Sequence, residues 1–580
     1  MEKLDRLSTL QRFFLLLQAY KKEVLLTYLY AIFGGLLNLI LPLGVQATLN
    51  IVQSGTITSS WWFLVFVVAL GTLFNGALVI MQNTLNETLQ KKIFTDMSFD
   101  FATRIPQLDL EKIRGEYLPE VVNRFFETLT LTKGIPKILS DLSTALLQII
   151  FGLILLSLYH PYFIVLGVLL MLVLFFIFRI TGANGLKTSI KESKFKYEVV
   201  YWLEELGRTI LTFKHSANSN YNIKRADKLV SNYLDAKTEH FRILKLQYWS
   251  LVMFKTLITL LLLVLGGNLV LKNQISIGQF VASEIIIILI INASEKMILM
   301  MDTIYDVLTS LDKVGHVMDL PMESSSSNII NSRLGMSVLI KNVSFNFENS
   351  HTQTLSDINL DIRPLERTCI AGYNASGKST LMQLIASFLK PKQGAVFYDG
   401  IPSVNYNLAS LRSKIGFYSS SEQVFRGTLK ENITLGYEDI NDETIIRLLK
   451  KVGLTTFVSE ITGGLDAMLL PDGKNLSRSI VSKILIARSL AHDPKILIVE
   501  NLIDNFQSDE KNKIIELITS SERTWTLVCA SDDLELAAQC DNIILLEKGK
   551  IIDKGTFEEL KNSIHFKRVF KVFPTKLQAH

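Results

Sequence analysis

Six apolar segments decide what this chain can fold into. They lie near 24–43, 61–81, 139–158, 162–179, 252–270 and 280–301. About 20 apolar residues in a helix cross the hydrocarbon of a bilayer. In lipid every backbone N–H and C=O must find a partner within the spanning structure, so these runs are predicted to be helices. A mean hydropathy of +0.29 over 580 residues agrees with membrane spans rather than an enlarged soluble core.

The connections between the runs alternate in character. The first, third and fifth, at 53–60, 159–161 and 271–279, are short and carry few charges. The second and fourth are long, polar and helix-patterned. One holds Lys91, Lys92 and Arg104; the other holds Lys187, Lys191, Lys194, Lys196, Arg208 and Lys214. Positive charge stays on the cytoplasmic side, so both long connections and both termini are expected there. Lys255, Glu284 and Glu295 fall toward the ends of apolar runs. Snorkelling or pairing, Glu295 with the adjoining Lys296, is expected for them, and Glu284 stands as a candidate pathway residue. The opening stretch, MEKLDRLSTLQRFFLLLQAYKKE, lacks a small-residue cleavage site. It reads as a basic amphipathic helix lying on the inner membrane surface.

After a serine-rich polar stretch, PMESSSSNIINSRLG, the pattern changes to short β-rich runs alternating with helical ones, the signature of an α/β domain with a mostly parallel sheet. Within it lies GYNASGKST, comprising Gly372, Tyr373, Asn374, Ala375, Ser376, Gly377, Lys378, Ser379 and Thr380. The form G-x-x-x-x-G-K-[ST] between two apolar runs predicts a strand, a glycine loop and a helix. Loop N–H groups and the helix N-terminus then cradle the phosphates of a nucleotide. Lys378 is expected to reach the β- and γ-phosphates, and the Ser379 hydroxyl to sit on Mg²⁺. Cys369, Cys529 and Cys540 show neither CxxC nor Cys/His spacing, so buried reduced thiols are expected rather than a metal site. The net charge of +5, scattered along the chain, argues against a nucleic-acid partner.

These residues resemble the ATP-binding cassette (ABC) transporters, and within them exporter-type half-transporters with six spans and one nucleotide-binding domain. Further matches follow in the family's order. Phe345-Asn346-Phe347 resembles the aromatic segment whose last ring, here Phe347, stacks on adenine. Phe425–Ile433 matches F-x-G-T-x-x-E-N-I, and Ile484–Pro494 matches the helix after the family signature. Leu108–Arg124 and Glu204–Lys214 look like the two cytoplasmic turns that dock on nucleotide-binding domains. The resemblance implies a multidomain chain: an amphipathic segment at 1–23, a six-helix transmembrane domain at 24–320, a linker at 321–335, an α/β P-loop nucleotide-binding domain at 336–562 and a tail at 563–580. ATP and Mg²⁺ are the implied cofactors.

The chain departs from the family where hydrolysis is performed. The family's second nucleotide strand ends in Asp then Glu; here Ile496–Val499 is followed by Glu500 and Asn501. Glu500 keeps a carboxylate for the Mg²⁺ water shell. Asn501 stands at the general-base position, and an amide cannot accept the proton of the attacking water; losing such a base costs about 10²- to 10⁴-fold. Ser531 stands at the switch-histidine position, and Ser420 where a glutamine is expected, with Gln423 three residues on. The signature L-S-G-G-Q reads Leu476-Ser477-Arg478-Ser479-Ile480, with bulk and a cation where glycines permit close backbone approach. The S-A-L-D segment reads Asp504-Asn505-Phe506-Gln507.

The implied protein is an integral membrane protein of a bacterial inner membrane, in contact with membrane lipid. It works as an obligatory dimer, a heterodimer with a more complete half-transporter being favoured because neither composite site would be whole. It binds ATP and hydrolyses it weakly or not at all while exporting a peptide, a protein or a small hydrophobic molecule. The alternative is a non-hydrolysing ATP-binding subunit with an assembly or regulatory role.

Overall fold

Each apolar run belongs to a longer helical stretch, continuous or interrupted. The computed structural model describes residues 8–53, 59–216, 219–324, 326–330, 334–347, 352–502 and 505–571. They cluster into two units: Met1–Leu108 with Gly115–Met322, and Asp109–Arg114 with Glu323–His580.

In the first unit, α1 (Thr9–Ala19) begins with a reciprocal cap. The Ser8 hydroxyl accepts from the Gln11 N–H, and the Gln11 side chain accepts from the Ser8 N–H. Leu10, Phe14 and Leu15 of α1 are exposed, as a surface-lying helix requires. The first span is broken into α2 (Lys21–Leu37) and α3 (Ile40–Gln53). Pro42 has no N–H to give the Asn38 carbonyl, and its ring crowds that oxygen. The second, α4 (Ser59–Arg104), runs 46 residues, well beyond its apolar stretch. Its polar half still buries Leu89, Ile93 and Phe101 at helical spacing.

The third crossing combines α5 (Leu118–Asn123), α6 (Glu127–Lys137) and α7 (Ser143–Tyr159), with a π-helical turn at Ile138–Leu142 just after Pro136. The rest are α8 (Tyr162–Arg208), the short α9 (Ile210–His215), α10 (Tyr221–Leu271) and α11 (Ile277–Met318). Among the described residues, six helical stretches are thus long and apolar enough to span a membrane.

Ile149, Leu156, Phe163, Ile258, Ile286 and Ile290 form one core among α7, α8, α10 and α11. Leu89, Ile93, Leu131, Ile135 and Val307 form another, partly covered by Phe13 and Leu17 of α1. Phe63, Leu73, Ile80, Val165 and Phe175 face outward, where lipid replaces water. The expected Glu295–Lys296 pair does not form. Glu295 pairs with Lys255 of α10, and Lys296 with Asp141 at 2.8 Å. Adjacent helical residues point about 100° apart, so each meets a different neighbour.

The second unit opens with β1 (Val338–Phe345), β2 (Leu355–Ile362), β3 (Arg367–Ala371) and α12 (Lys378–Ile385). Then come β4 (Gln393–Tyr398), β5 (Ile401–Pro402), α13 (Leu408–Arg412) and β6 (Ile415–Ser419). A helical section follows: β7 (Gly427–Thr428), α14 (Leu429–Thr434), α15 (Asp442–Lys451), α16 (Thr455–Glu460), β8 (Met468–Leu469) and α17 (Arg478–Leu490). The chain closes through β9 (Ile496–Glu500), α18 (Ser508–Thr519), β10 (Thr526–Ala530), α19 (Leu534–Ala538), β11 (Asn542–Glu547) and β12 (Lys550–Gly555).

Six strands make one sheet in the order β12-β11-β3-β10-β9-β6, parallel except for β12. Both faces of its centre are covered, so every residue of β9 and β10 is buried. A second, antiparallel sheet, β2-β1-β4-β5, was not expected from the sequence. The stretch read as a linker is tied down where described. Arg412 donates two hydrogen bonds to Glu323, at 2.6 and 2.8 Å, and the Ser326 N–H donates to the Tyr406 carbonyl at 3.2 Å. Part of the tail is core, because Phe566 is buried and stacks on Phe570 with ring centroids 4.4 Å apart. All three cysteines are free and buried.

Candidate nucleotide-binding site

The strand ends of the parallel sheet bring Lys378, Glu500 and Asp532 near one another, while residues 476–480 lie at the start of α17 and Phe347 follows β1 of the antiparallel sheet. The buried strand β3 runs into the loop 372–377 and then α12. Gly377 has φ 103°, and a Cβ there would press on Leu355 Cδ2 at 2.8 Å. Ala375 also takes a left-handed φ of 62°, so the loop turns sharply. Lys378 folds over this loop and donates to the carbonyls of Gly372 and, at 3.1 Å, Tyr373. Burial lowers the Lys378 pKa, while the neighbouring carboxylates Asp532 and Glu500 work against that shift. Tyr373, Asn374 and Ser379 are exposed, whereas Thr380 is buried beneath the helix start.

The fit to an anionic, phosphate-bearing ligand has a specific mark. Ser376 is 4% exposed and its hydroxyl has no hydrogen-bond partner. A buried hydroxyl left unpaired is costly, and a phosphate oxygen would satisfy it. The residues therefore suit a nucleotide. For a divalent cation, the exposed Ser379 hydroxyl on the first turn of α12 and the Glu500 carboxylate are the oxygen donors of suitable kind.

Glu500 ends β9, and its Oε2 accepts from the Ser419 hydroxyl at 3.1 Å. Ser419 lies directly opposite in the register of β6 and β9. Asn501 follows, exposed, with φ 51° and its N–H donating to the Ala530 carbonyl at 3.1 Å. Asn tolerates that left-handed conformation better than most residues. Ser531, at the end of β10, is only 5% exposed. Its hydroxyl accepts from the Asp533 N–H at 3.1 Å, so it braces the turn into α19. Ser420 and Gln423 are both exposed, and Arg488 holds the Gln423 carbonyl at 3.2 Å.

Leu476 packs against the unit's core and Ser477 caps α17, its hydroxyl accepting from the Ile480 N–H at 3.3 Å. Arg478 is exposed at the first helical position. Ser479 donates to Glu510 of α18 at 2.8 Å, and Lys483 donates to the same carboxylate at 2.6 Å. Asn505 reaches the Ser482 hydroxyl at 3.0 Å; Asp504 lies outside the described residues. Phe347 meets Phe345 edge-on at 4.9 Å, and the Arg114 guanidinium lies 3.5 Å from its ring centroid. Arg114 belongs to Asp109–Arg114, the part of the second connection that clusters with this unit, where Glu111 pairs with Lys392.

Three of these groups escaped the sequence reading. Asp532 follows the Ser531 position, and a carboxylate just past a buried strand was a usable signal. Tyr418, whose hydroxyl donates to Ser482 at 3.1 Å, and Arg114 carried no signal, because their partners are remote in sequence.

Comparison with known proteins gives two family matches. The profile described as ABC transporter transmembrane region matches residues 24–294, and the one described as ABC transporter matches 355–502. Together they take in more than half of the chain. An uncharacterized ABC transporter ATP-binding protein of Haemophilus influenzae is 29% identical over 349 residues, 58% of this chain and 62% of that protein. The alpha-hemolysin translocation ATP-binding protein HlyB of Escherichia coli is 26% identical over 62% of this chain and 51% of its own length. The lactococcin-G-processing and transport ATP-binding protein LagD of Lactococcus lactis is 23% identical over 96% of this chain and 78% of its own. Several of these matches thus span under two thirds of the relative. A bacterial Atm1-family ABC exporter solved with ATP bound shares the fold at TM-score 0.84, with 16% identity, covering 96% of this chain and 99% of that one.

Proposed function

The chain belongs to the ABC transporters as an integral membrane protein, and from that premise we propose that it is the ATP-binding half of an exporter of peptides or proteins whose own hydrolytic site is degenerate. The observation that carries the proposal is the end of β9, where Glu500 is followed by an amide, Asn501. The peptide and protein class is supported by relatives named for hemolysin and lactococcin-G transport.

In this reading Lys378, the Ser376 hydroxyl and the loop N–H groups hold the phosphates of ATP. Ser379 and Glu500 hold Mg²⁺, which when bound neutralises phosphate charge. Asn501 hydrogen-bonds water without taking its proton, and the Ser531 hydroxyl, which accepts from the Asp533 N–H, cannot supply the imidazole of the switch position. ABC half-transporters function as dimers, each nucleotide lying between the phosphate loop of one chain and the signature of the other. A homodimer repeats the deficit twice. We therefore assign this chain a more complete partner that supplies most of the hydrolysis.

The test is Asn501→Glu. Restoring the base is expected to raise turnover in purified chain at least ten-fold, below the full general-base range of about 10²–10⁴ because Arg478-Ser479-Ile480 remains. The left-handed φ of Asn501 makes Glu strained there by roughly 1–2 kcal/mol, so the melting temperature falls as turnover rises. No change in turnover, with ATP binding intact, would contradict the assignment of Asn501.

A further inference from the structure

A small cavity in the first unit, walled by α6, α8 and α11, bears on what is exported; the inference rests on the peptide-export reading above. The cavity is about 140 Å³, and Asp306, Glu192, Glu127 and Lys196 are its charged lining. At about 30 Å³ for each water, it holds a group the size of a guanidinium or ammonium with its last methylene. It lies just past the apolar stretch that ends near Met301 in α11.

Two of its three carboxylates are already neutralised. Glu127 accepts from Lys196 at 2.9 Å, from the Tyr197 hydroxyl at 2.9 Å and from Ser310 at 2.6 Å. Glu192 accepts from Lys237 at 3.1 Å. Asp306, exposed where it lines the cavity, makes no hydrogen bond or ion pair among the described residues. A second, independent mark is Ser193. It is 7% exposed, lines the cavity, and its hydroxyl has no partner. A buried polar atom and an unbalanced carboxylate facing one small space are both satisfied by a single N–H-rich cation. Among the described residues no cluster of three or more side chains converges as metal ligands do, which favours an organic cation over a metal ion.

We propose that this cavity binds the cationic end of an arginine or lysine side chain of the transported peptide. Asp306 supplies the charge and Ser193 an acceptor.

The test uses the full chain in lipid nanodiscs with Thr130→Cys placed on the cavity wall. The three native cysteines are buried, so the new thiol is the one a maleimide labels. Methylguanidinium is expected to slow labelling and methylurea, equal in shape but neutral, is not. Asp306→Asn is expected to remove the protection. Glu192→Gln, whose carboxylate is already paired, is expected to weaken it less. Equal labelling with both compounds, or protection that survives Asp306→Asn in folded protein, overturns the proposal. So does equal protection by potassium chloride, which would assign the cavity to an inorganic ion.

In a second arm, a fluorescent peptide with one arginine is expected to bind about ten-fold tighter than its citrulline twin, the size of one hydrogen bond to a charged group. Methylguanidinium protection with no binding of either peptide keeps the cation site and overturns peptide export. Peptide binding indifferent to the exchange keeps peptide export and overturns the site.

Discussion

Arg114 lies over the ring of Phe347, the ring proposed to stack on adenine, with its guanidinium 3.5 Å from the centroid. A base seated on that face competes with a cation–π contact of about 0.5–1 kcal/mol. Arg114→Ala is therefore expected to tighten ATP binding about two- to five-fold, read by titration with a fluorescent ATP analogue. Weaker binding would show that Arg114 sandwiches the base instead. A pH dependence follows from Asp541. Burial works against its ionisation, but hydrogen bonds from Arg367, the N–H at 2.9 Å and Nε at 3.0 Å, hold it below the usual aspartate range. A depressed carboxylate stabilises the fold above its unfolded value near ~3.9 and loses that contribution as pH falls through the folded value. Wild type should melt above Asp541→Asn near neutral pH, and the gap should close below about pH 4. A gap that widens on acidification would contradict this. At this scale the sequence was informative wherever a residue sits between fixed anchors. Glu500, Asn501 and Ser531 lie at or just past the ends of β9 and β10, and Lys378 opens α12. Partners across the fold were not legible: Glu295 meets Lys255, not its neighbour Lys296, because pairing depends on which helix lies alongside.

Among the elements, close helix packing depends on missing side chains. Gly185 of α8 faces the buried ring of Tyr305, whose hydroxyl accepts from Gln247 at 3.0 Å. A methyl group there meets the ring, so Gly185→Ala is expected to destabilise by about 1–3 kcal/mol. Gly182, one turn earlier, has open space at its Cβ position. Gly182→Ala should be neutral or stabilising by roughly 0.5–1 kcal/mol through helix propensity. Thermal melts of both variants in detergent test the pair, and equal effects would contradict the packing assignment. Helix existence was legible because lipid demands apolar runs. Helix length was not, since outside the hydrocarbon the run ends while the helix continues. In α4 the buried Leu89, Ile93 and Phe101 continue a 3.6-residue period under a polar surface. The antiparallel sheet was missed because β1 and β4 pair with a register shift between Lys341 and Ser344, which blurs strict alternation.

For the whole molecule, the phosphate loop and the hydrolytic residues pull in different directions. The loop is complete: Gly372 and Gly377 in place, Lys378 over the carbonyls, Ser376 with a hydroxyl to give. Around it stand an amide at Asn501 and, at Ser531, a hydroxyl that accepts from the Asp533 N–H. In the proposed reading such a site binds nucleotide and closes a dimer, because closure is a population shift that differential binding alone can drive. The chain spans 62% of the Haemophilus influenzae relative and 51% of HlyB. The most direct test is ATP turnover by the purified chain in lipid, with Lys378→Ala as the blank and ATP binding measured on the same sample. Clear binding with turnover no faster than the blank is expected. Turnover well above the blank would contradict it, and would mean that another residue orients the water and that the chain is a self-sufficient homodimer.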